Sequence, residues 1–326
     1  MKNFFTKFIK SEKKLNHIER SFLEMKNITK ASNIFNAISN YNETSDIRYV
    51  GGCIRKILNK EDVDDIDLAT NLKPNEVKDC LKQNKINFFE TGIEHGTITA
   101  QIDKKNFEIT TLRKDILTDG RRAIVEFTDK WNEDASRRDF TINSIYADIE
   151  GNLFDPLEGL KDLNNGIVQF IGNPEIRIKE DYLRILRYIR FFLNYSNQNH
   201  ILNVKKAIKE NINGIIKLSK ERLIAELKKL VMSEGFIKIN NDDFCKEILL
   251  LIFPQIKNID ILKKINKYSK IDKFKNDFIF ILSLLIIDET DNSDYFLYKY
   301  NISKKDQKRI KNIDSFYFNF LGIFRM

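Results

Sequence analysis

Tyr49-Val50-Gly51-Gly52-Cys53-Ile54-Arg55, with Asp65-Ile66-Asp67-Leu68 ten residues further on, is the stretch that decides how this chain is read. An apolar strand feeds two glycines and a helix start, and a second strand then carries two carboxylates at i and i+2. A glycine turn lets backbone N–H groups approach a polyphosphate closely, and paired acids hold the metal ions that neutralise it. On a strand, residues i and i+2 face one side with Cα atoms roughly 6–7 Å apart. Asp65 and Asp67 are therefore expected to project together while Ile66 points into the core. Two such carboxylates can ligate ions about 3.5–4 Å apart, the arrangement used for in-line nucleotidyl displacement. Asp64 breaks the alternation and reads as a loop residue. An isolated Asp-x-Asp would more often be a solvated turn, and its place after the strand–Gly-Gly–helix unit is what argues for chemistry. A third acid is expected at Glu108 in Phe107-Glu108-Ile109-Thr110-Thr111, a lone charge either exposed on a sheet face or turned inward to a site.

The 326 residues are enough to bury a substantial core and to form more than one domain. With 55 Lys+Arg against 47 Asp+Glu, the formal net charge is +8. An acidic site in a basic protein suits a polyanionic partner bound through counterion release; the alternative is a plain compositional bias towards Lys and Asn. Cys53, Cys80 and Cys245 make no disulfide framework and, with three histidines, no zinc-ligand spacing. A reducing compartment, the cytoplasm, fits that pattern. No run approaches the roughly 18 apolar residues of a membrane span. Met1 to Lys14 reads as an ordinary N-terminal helix or a frayed end rather than a targeting segment.

Before about residue 160, short β-type runs alternate with helical segments: Ile47–Val50, Ile66–Ala69, Ile98–Ile102, Phe107–Leu112, Ile124–Phe127 and Ile142–Asp148. That pattern predicts an α+β domain with a mixed sheet. Beyond Pro174 apolar residues recur at steps of three or four, as in Leu183, Leu186, Ile189 and Leu193, and again in Leu223, Leu227 and Leu230. The second half is therefore expected to be helical.

Taken in order, the motifs resemble those of the class II tRNA nucleotidyltransferases (CCA-adding enzymes) and the related bacterial poly(A) polymerases. The matching pieces are Gly51-Gly52-Cys53-Ile54-Arg55 with Asp65-Ile66-Asp67-Leu68-Ala69-Thr70, Gly92-Ile93-Glu94-His95-Gly96-Thr97, and Glu108-Ile109-Thr110-Thr111-Leu112-Arg113. They continue with Arg137-Arg138-Asp139-Phe140-Thr141-Ile142-Asn143, Asp155-Pro156, Glu180-Asp181-Tyr182-Leu183-Arg184 through Arg187, and Glu221-Arg222. The resemblance runs from about residue 30 to 235.

The resemblance implies a polymerase-β-like nucleotidyltransferase head and helical neck and body. The expected boundaries are an N-terminal helical extension over 1–28, the head over 29–158, a neck selecting the base over 159–236 and a shortened body over 237–326, with the tail absent or truncated. It implies addition of C, C and A from CTP and ATP to the 3′ end of tRNA with two Mg2+ ions, and release of pyrophosphate. The alternatives are a poly(A) polymerase and an RNA-binding protein without catalysis. By the same resemblance Asp65 and Asp67 are metal ligands and Glu108 the third catalytic acid, while Gly51, Gly52 and Arg55 hold the triphosphate. Arg138, Asp139 and Asn143 fall where ribose and phosphates are recognised, and Asp181, Arg184 and Arg187 where the nucleotide base is bound. His95 is either catalytic or a hydrogen-bonded structural histidine. One departure is Lys56, which follows Arg55 where the family usually has Asp.

Glu180-Asp181-x-x-Arg184 also has physical content of its own. On a helix, Asp181 and Arg184 would be i, i+3 neighbours on one face. Arg only donates hydrogen bonds and ionised Asp only accepts them. Cytosine and adenine both offer an amino donor beside a ring-nitrogen acceptor, and uracil and guanine offer the reverse. A fixed Asp/Arg pair therefore suits C and A; the bland alternative is a surface ion pair worth about 0–1 kcal/mol. Serving a pyrimidine and then a purine calls for an adjustable element. The polar segment Lys114 to Ser136, with Asp119-Gly120-Arg121-Arg122, is expected to be a mobile loop with that role, or else a passive surface loop.

Overall fold

Residues 17–27, 29–118, 123–261 and 277–324 are described by a computed structural model of the chain. The expected helix over Met1–Lys14 and the Asp119–Arg122 tip lie outside those residues. The chain divides into two compact units, the first running to Leu117 and including Ala123–Asn165, the second running from Gly166 onward.

The first unit is an α+β head. Its helices and strands are α1 (His17–Asn27), α2 (Ala31–Ser39), β1 (Ile47–Val50), α3 (Gly52–Leu58), β2 (Ile66–Thr70), α4 (Pro74–Gln83) and β3 (Asn87–Gly92). They continue as β4 (Thr97–Ile102), β5 (Lys105–Thr111), β6 (Arg113–Thr118), β7 (Ala123–Phe127), α5 (Trp131–Ser136), β8 (Tyr146–Ala147), β9 (Leu153–Phe154) and α6 (Gly159–Asn164). Seven strands form one mixed sheet in the order β3-β4-β5-β2-β1-β8-β9, in which β2 and β5 run parallel.

Side chains alternate between sheet faces with period two, and the core reports which face is which. Ile47, Tyr49, Leu68, Phe107 and Ile109 pack against apolar residues of α1 to α4, among them Phe22, Ile34, Ile54 and Leu81. Ile66 packs against the same cluster, as its place between two aspartates required. The intervening residues, Val50, Asp67, Ala69 and Glu108, thus belong to the opposite face. There a smaller apolar cluster joins Val50 and Ala69 to Leu112, Ala135 and Tyr146.

Two expectations are corrected. Ile142–Asp148 is not one strand: Thr141–Asn143 is a 3₁₀ turn, and the strand is confined to β8. Short polar side chains consume the backbone groups locally, with Ser144 Oγ donating to the Thr141 carbonyl at 2.7 Å and Asp139 Oδ1 accepting from the Phe140 N–H at 2.9 Å, so the ladder starts late. Lys114–Ser136 is not a loop either. β6 and β7 pair as a two-stranded sheet, followed by α5. Alternation in Lys114-Asp115-Ile116-Leu117 is masked in the sequence by charge, while the run expected over Ile124–Phe127 is β7. Lys114 pairs with Glu126 across the two strands at 3.1 Å.

The second unit is helical, with α7 (Pro174–Glu180), α8 (Leu183–Tyr195), α9 (Leu202–Asn211), α10 (Lys220–Val231), α11 (Asp243–Ile252), α12 (Phe278–Ile286), α13 (Asn292–Lys299) and α14 (Lys304–Phe324). The expected apolar stripes are buried apart from Leu183, which is only partly so at the start of α8: Leu186, Ile189 and Leu193 on α8, and Leu223, Leu227 and Leu230 on α10. Between these two helices Arg190 Nε donates to Glu226 Oε1 at 2.6 Å, an ion pair largely closed to solvent.

Candidate functional site

β1 enters a bend at Gly51, whose φ of 69° and ψ of −114° are closed to residues bearing a Cβ. The bend is covered as well as strained: a Cβ there would lie 3.4 Å from Arg138 Nη1. Its N–H donates to the Ile145 carbonyl at 3.2 Å, which ties the bend to the segment before β8. At Gly52 a Cβ would lie 3.9 Å from Asp67 Oδ2, so the aspartate carboxylate stands beside the first turn of α3.

Parallel pairing of β2 with β5 puts Asp67 level with Glu108. Residues in register on adjacent strands share a face, so the two carboxylates stand side by side on the face away from α1–α4. Glu108 is exposed on that face, flanked by the buried Phe107 and Ile109. The sequence offered exposure and a site as alternatives, and the residue is both solvent-exposed and next to Asp67. Asp65 is exposed and lies just before β2 rather than within it. Burial first, and then the charge of Glu108, push the Asp67 carboxyl up to about 6; Asp65 adds to this while Arg138 and Arg55 oppose it. These four groups therefore all act on one half-buried carboxylate.

Two hydrogen-bonded networks hold the basic side of the site. Arg55, buried on α3, donates from Nη1 to Asn143 Oδ1. Asn143 Nδ2 in turn donates to Asp139 Oδ1 at 2.8 Å. The second network centres on Asp134, which lies in the first turn of α5 and is almost fully buried. It accepts from Arg138 Nη2 at 3.0 Å, Arg137 Nε at 2.8 Å and the Tyr146 hydroxyl at 2.7 Å. Burial works against its ionisation, but Arg138 and Arg137 hold its carboxyl well below the usual range. Asp134 and Tyr146 were not singled out in the sequence. The i, i+4 spacing of Asp134 and Arg138 is the one signal that could have found the first of them.

His95 is half-exposed, its ring beside Glu94 at 3.7 Å. What the fold uses is its backbone carbonyl, which accepts from Arg113 Nη1. The following Gly96 has φ 79°, and a Cβ there would lie 2.6 Å from the Phe127 ring, so the end of β7 presses directly on this turn. Lys56 donates to Asp64 Oδ2 at 2.7 Å, giving the departure from the family pattern a charge partner.

In the helical unit the chain breaks at Asp181, which is extended (φ −156°, ψ 105°) between α7 and α8. Asp181 and Arg184 are consequently not two positions on one helix. Asp181 Oδ1 accepts from the Leu183 N–H at 3.1 Å, as an N-cap does, and Oδ2 accepts from Arg222 Nη2 at 2.7 Å. Arg184 Nη1 donates to Glu180 and to the Arg177 carbonyl, and Arg177 shares the same Glu180 oxygen at 2.6 Å. Arg187 is half-buried with its guanidinium 5.3 Å from the centre of the Phe191 ring. No local spacing could have paired Asp181 with Arg222, 41 positions away.

Residues 47–169 match the family described as the poly A polymerase head domain. The mitochondrial CCA tRNA nucleotidyltransferase 1 of Homo sapiens is 45% identical over 193 residues, covering 58% of this chain and 44% of that protein. The CCA-adding enzyme of Lactobacillus helveticus is 34% identical over 223 residues, covering 64% of this chain and 55% of its own. This chain thus spans about half the length of the curated relatives it matches. Among solved structures, the Bacillus stearothermophilus CCA-adding enzyme in complex with CTP superposes with a TM-score of 0.66 at 23% identity, over 88% of this chain and 69% of that one. The resemblance read from the motifs therefore holds in sequence, and the α+β architecture is shared.

Proposed function

We propose that the protein is a template-independent nucleotidyltransferase that adds C, C and A to the 3′ end of tRNA from CTP and ATP. The observation that carries this reading is the register of β2 with β5, which sets Asp67 beside Glu108 next to the Gly51–Gly52 bend. A terminal RNA hydroxyl attacks the α-phosphorus of the nucleoside triphosphate, the bond to the β-phosphate breaks, and pyrophosphate leaves.

Asp65 and Asp67, with Glu108 as the third acid, are the residues that would hold Mg2+. An all-carboxylate donor set suits a hard cation, and such a cation would offset both the burial and the neighbouring Glu108 charge that hold the Asp67 carboxyl up. When bound, the ions lower the pKa of the attacking hydroxyl and neutralise the departing pyrophosphate. The chain's own contribution is placement. The Gly51 bend brings backbone without a side chain up to the site, and the Arg138 guanidinium lies over it. Arg55, Asn143 and Asp139 fix one another, so polar groups for ribose and phosphate are oriented before substrate arrives.

Asp181 and Arg184 are proposed to read the Watson–Crick edge of the incoming base, with Arg187 beside them. An arginine has five donors and a carboxylate about four acceptor sites, so both can keep their present partners and still bond a base. Glu180 and Arg222 would then act as the residues that aim them. Uracil and guanine would leave these groups unpaired, a penalty that can reach about 10⁴-fold where a site is built for the missing bond.

Incubating the protein with Mg2+, each NTP singly and in mixture, and a tRNA lacking its 3′ end tests the proposal. Addition limited to C, C and A supports it. Long A tails would make the protein a poly(A) polymerase, and binding without extension an RNA-binding protein. Among the described residues no helix is long and apolar enough to cross a membrane, and all three cysteines are buried and unpaired. The cytoplasm is the compartment we propose, with the mitochondrial name of the Homo sapiens relative marking the location to test against it.

A further inference from the structure

The helical unit gathers an imidazole, a carboxylate and a thiol that the proposed reaction does not use. His200 precedes α9, Asp242 caps the start of α11, and Cys245 lies in the first turn of that helix. One ligand atom from each residue lies within 4.8 Å of the others. His200 Nε2 is 3.0 Å from both Asp242 oxygens and 3.9 Å from Cys245 Sγ. The other ring nitrogen, Nδ1, meets the Tyr188 hydroxyl at 2.8 Å. Phe192 stacks on the imidazole with ring centres 3.7 Å apart, and Phe244 meets it edge-on at 4.8 Å.

Helix capping accounts for Asp242, whose Oδ1 accepts from the Cys245 N–H at 2.8 Å, and an ion pair would account for His200. Neither accounts for all three groups together: the thiol hydrogen-bonds to Asp242 and its sulfur also lies 3.9 Å from the same ring nitrogen. A nucleophile relay does not explain it either. A cysteine activated by a His–Asp pair needs thiol and acid on opposite ring nitrogens, and here both face Nε2. Burial, with Asp242 adding to it, also holds the thiol far above its usual range. Three donors of different softness converging on one point, with the second ring nitrogen pinned by a hydroxyl, is the pattern of a ligating histidine and its outer partner.

We propose that His200 Nε2, Asp242 Oδ2 and Cys245 Sγ bind a transition-metal ion of the Zn2+ class. An imidazole–carboxylate–thiolate set suits Zn2+ and disfavours Mg2+, which takes oxygen ligands. Binding releases the thiol proton to solvent and uses the neutral imidazole carrying its proton on Nδ1, donated to Tyr188. The ion would clamp α8, through Tyr188, and the segment before α9 onto α11. This is a structural site, independent of the reaction proposed for the head.

Metal-stripped full-length protein, titrated with Co2+ under reducing conditions and followed by absorbance, tests it. The expected result is one equivalent bound, with a thiolate-to-Co2+ charge-transfer band that Zn2+ abolishes and excess Mg2+ does not. Cys245→Ser should lose that band. Tyr188→Phe should keep it with affinity lower by about 10–100-fold. Persistence of the band in Cys245→Ser, or no stoichiometric Co2+ or Zn2+ uptake by the wild type, overturns the site. Should Cys245→Ser fail to fold, the converse variant Cys53→Ser/Cys80→Ser, with Cys245 as its sole thiol, must keep the band, and its loss overturns the site equally.

Discussion

The head and the helical unit hold clusters of charged side chains in place by different means. In the head, strand register fixes Asp67 against Glu108, and buried arginines are locked by Asp134, Asp139 and Asn143. In the helical unit, Asp181 sits in the break between two helices and Arg184 in the first turn after it. Arg184 is held by Glu180 four residues back, but Asp181 is held by Arg222, a partner that no local spacing pairs with it. A sheet positions by backbone, since a one-residue slip would turn every side chain to the wrong face. A helix break positions by side-chain contacts, which are individually weak and exchangeable.

The sharpest way to break this contrast is Asp67→Ala. We expect turnover to fall on the order of 10³-fold or more, while the denaturation midpoint does not drop, because a like charge has been removed from beside Glu108. A parallel loss of stability would mean that the carboxylate is structural. Next in size is Asp134→Ala, which strands Arg137 and Arg138 without their acid. It should lower the unfolding free energy by about 3–5 kcal/mol, measured by urea titration. The depressed folded pKa of Asp134 means that its contribution is complete above the ordinary carboxyl range and is lost as pH falls through the folded value. The gap between wild type and variant should therefore narrow below about pH 4, and a constant gap from pH 7 to 3 would rule out the ion pairs as its source.

Gly51→Ala should cost about 1–3 kcal/mol from its forbidden backbone alone. It should also weaken CTP binding, read by equilibrium dialysis, because the new methyl meets Arg138. The smallest stability effect belongs to the helical unit. Arg222→Ala should change stability by about 0–1 kcal/mol, as expected for a partly exposed pair, and yet lower the preference for CTP over UTP, with Arg184→Ala relaxing it further. Unchanged base choice in both variants would remove Asp181 and Arg184 from the selection role.

Legibility followed the same divide. The Gly51-Gly52 bend and the strand positions of Asp67 and Glu108 were readable because strand period and glycine geometry are local, whereas Asp65 falls just before β2 and not on it. β6 was missed because charged residues interrupt its alternation, whereas β7 had been expected over Ile124–Phe127. Ile142–Asp148 was overextended because apolar residues concealed a turn built by Ser144 and Asp139. The helix over Asp181–Arg184 was expected from spacing alone, and capping at Asp181 overrode it.

What the chain fixed by itself was the alternation of apolar and charged positions, the two glycines and the order of the motifs, all of which act over a few residues. Only the tertiary structure decided that Glu108 lies level with Asp67, that Arg55 reaches Asn143, that Asp181 turns to Arg222 and that a thiol meets His200. Each of those pairs closes a loop tens of residues long. The loop's entropy is met by burial of a whole core rather than by the pair itself, so nothing near either residue announces the other.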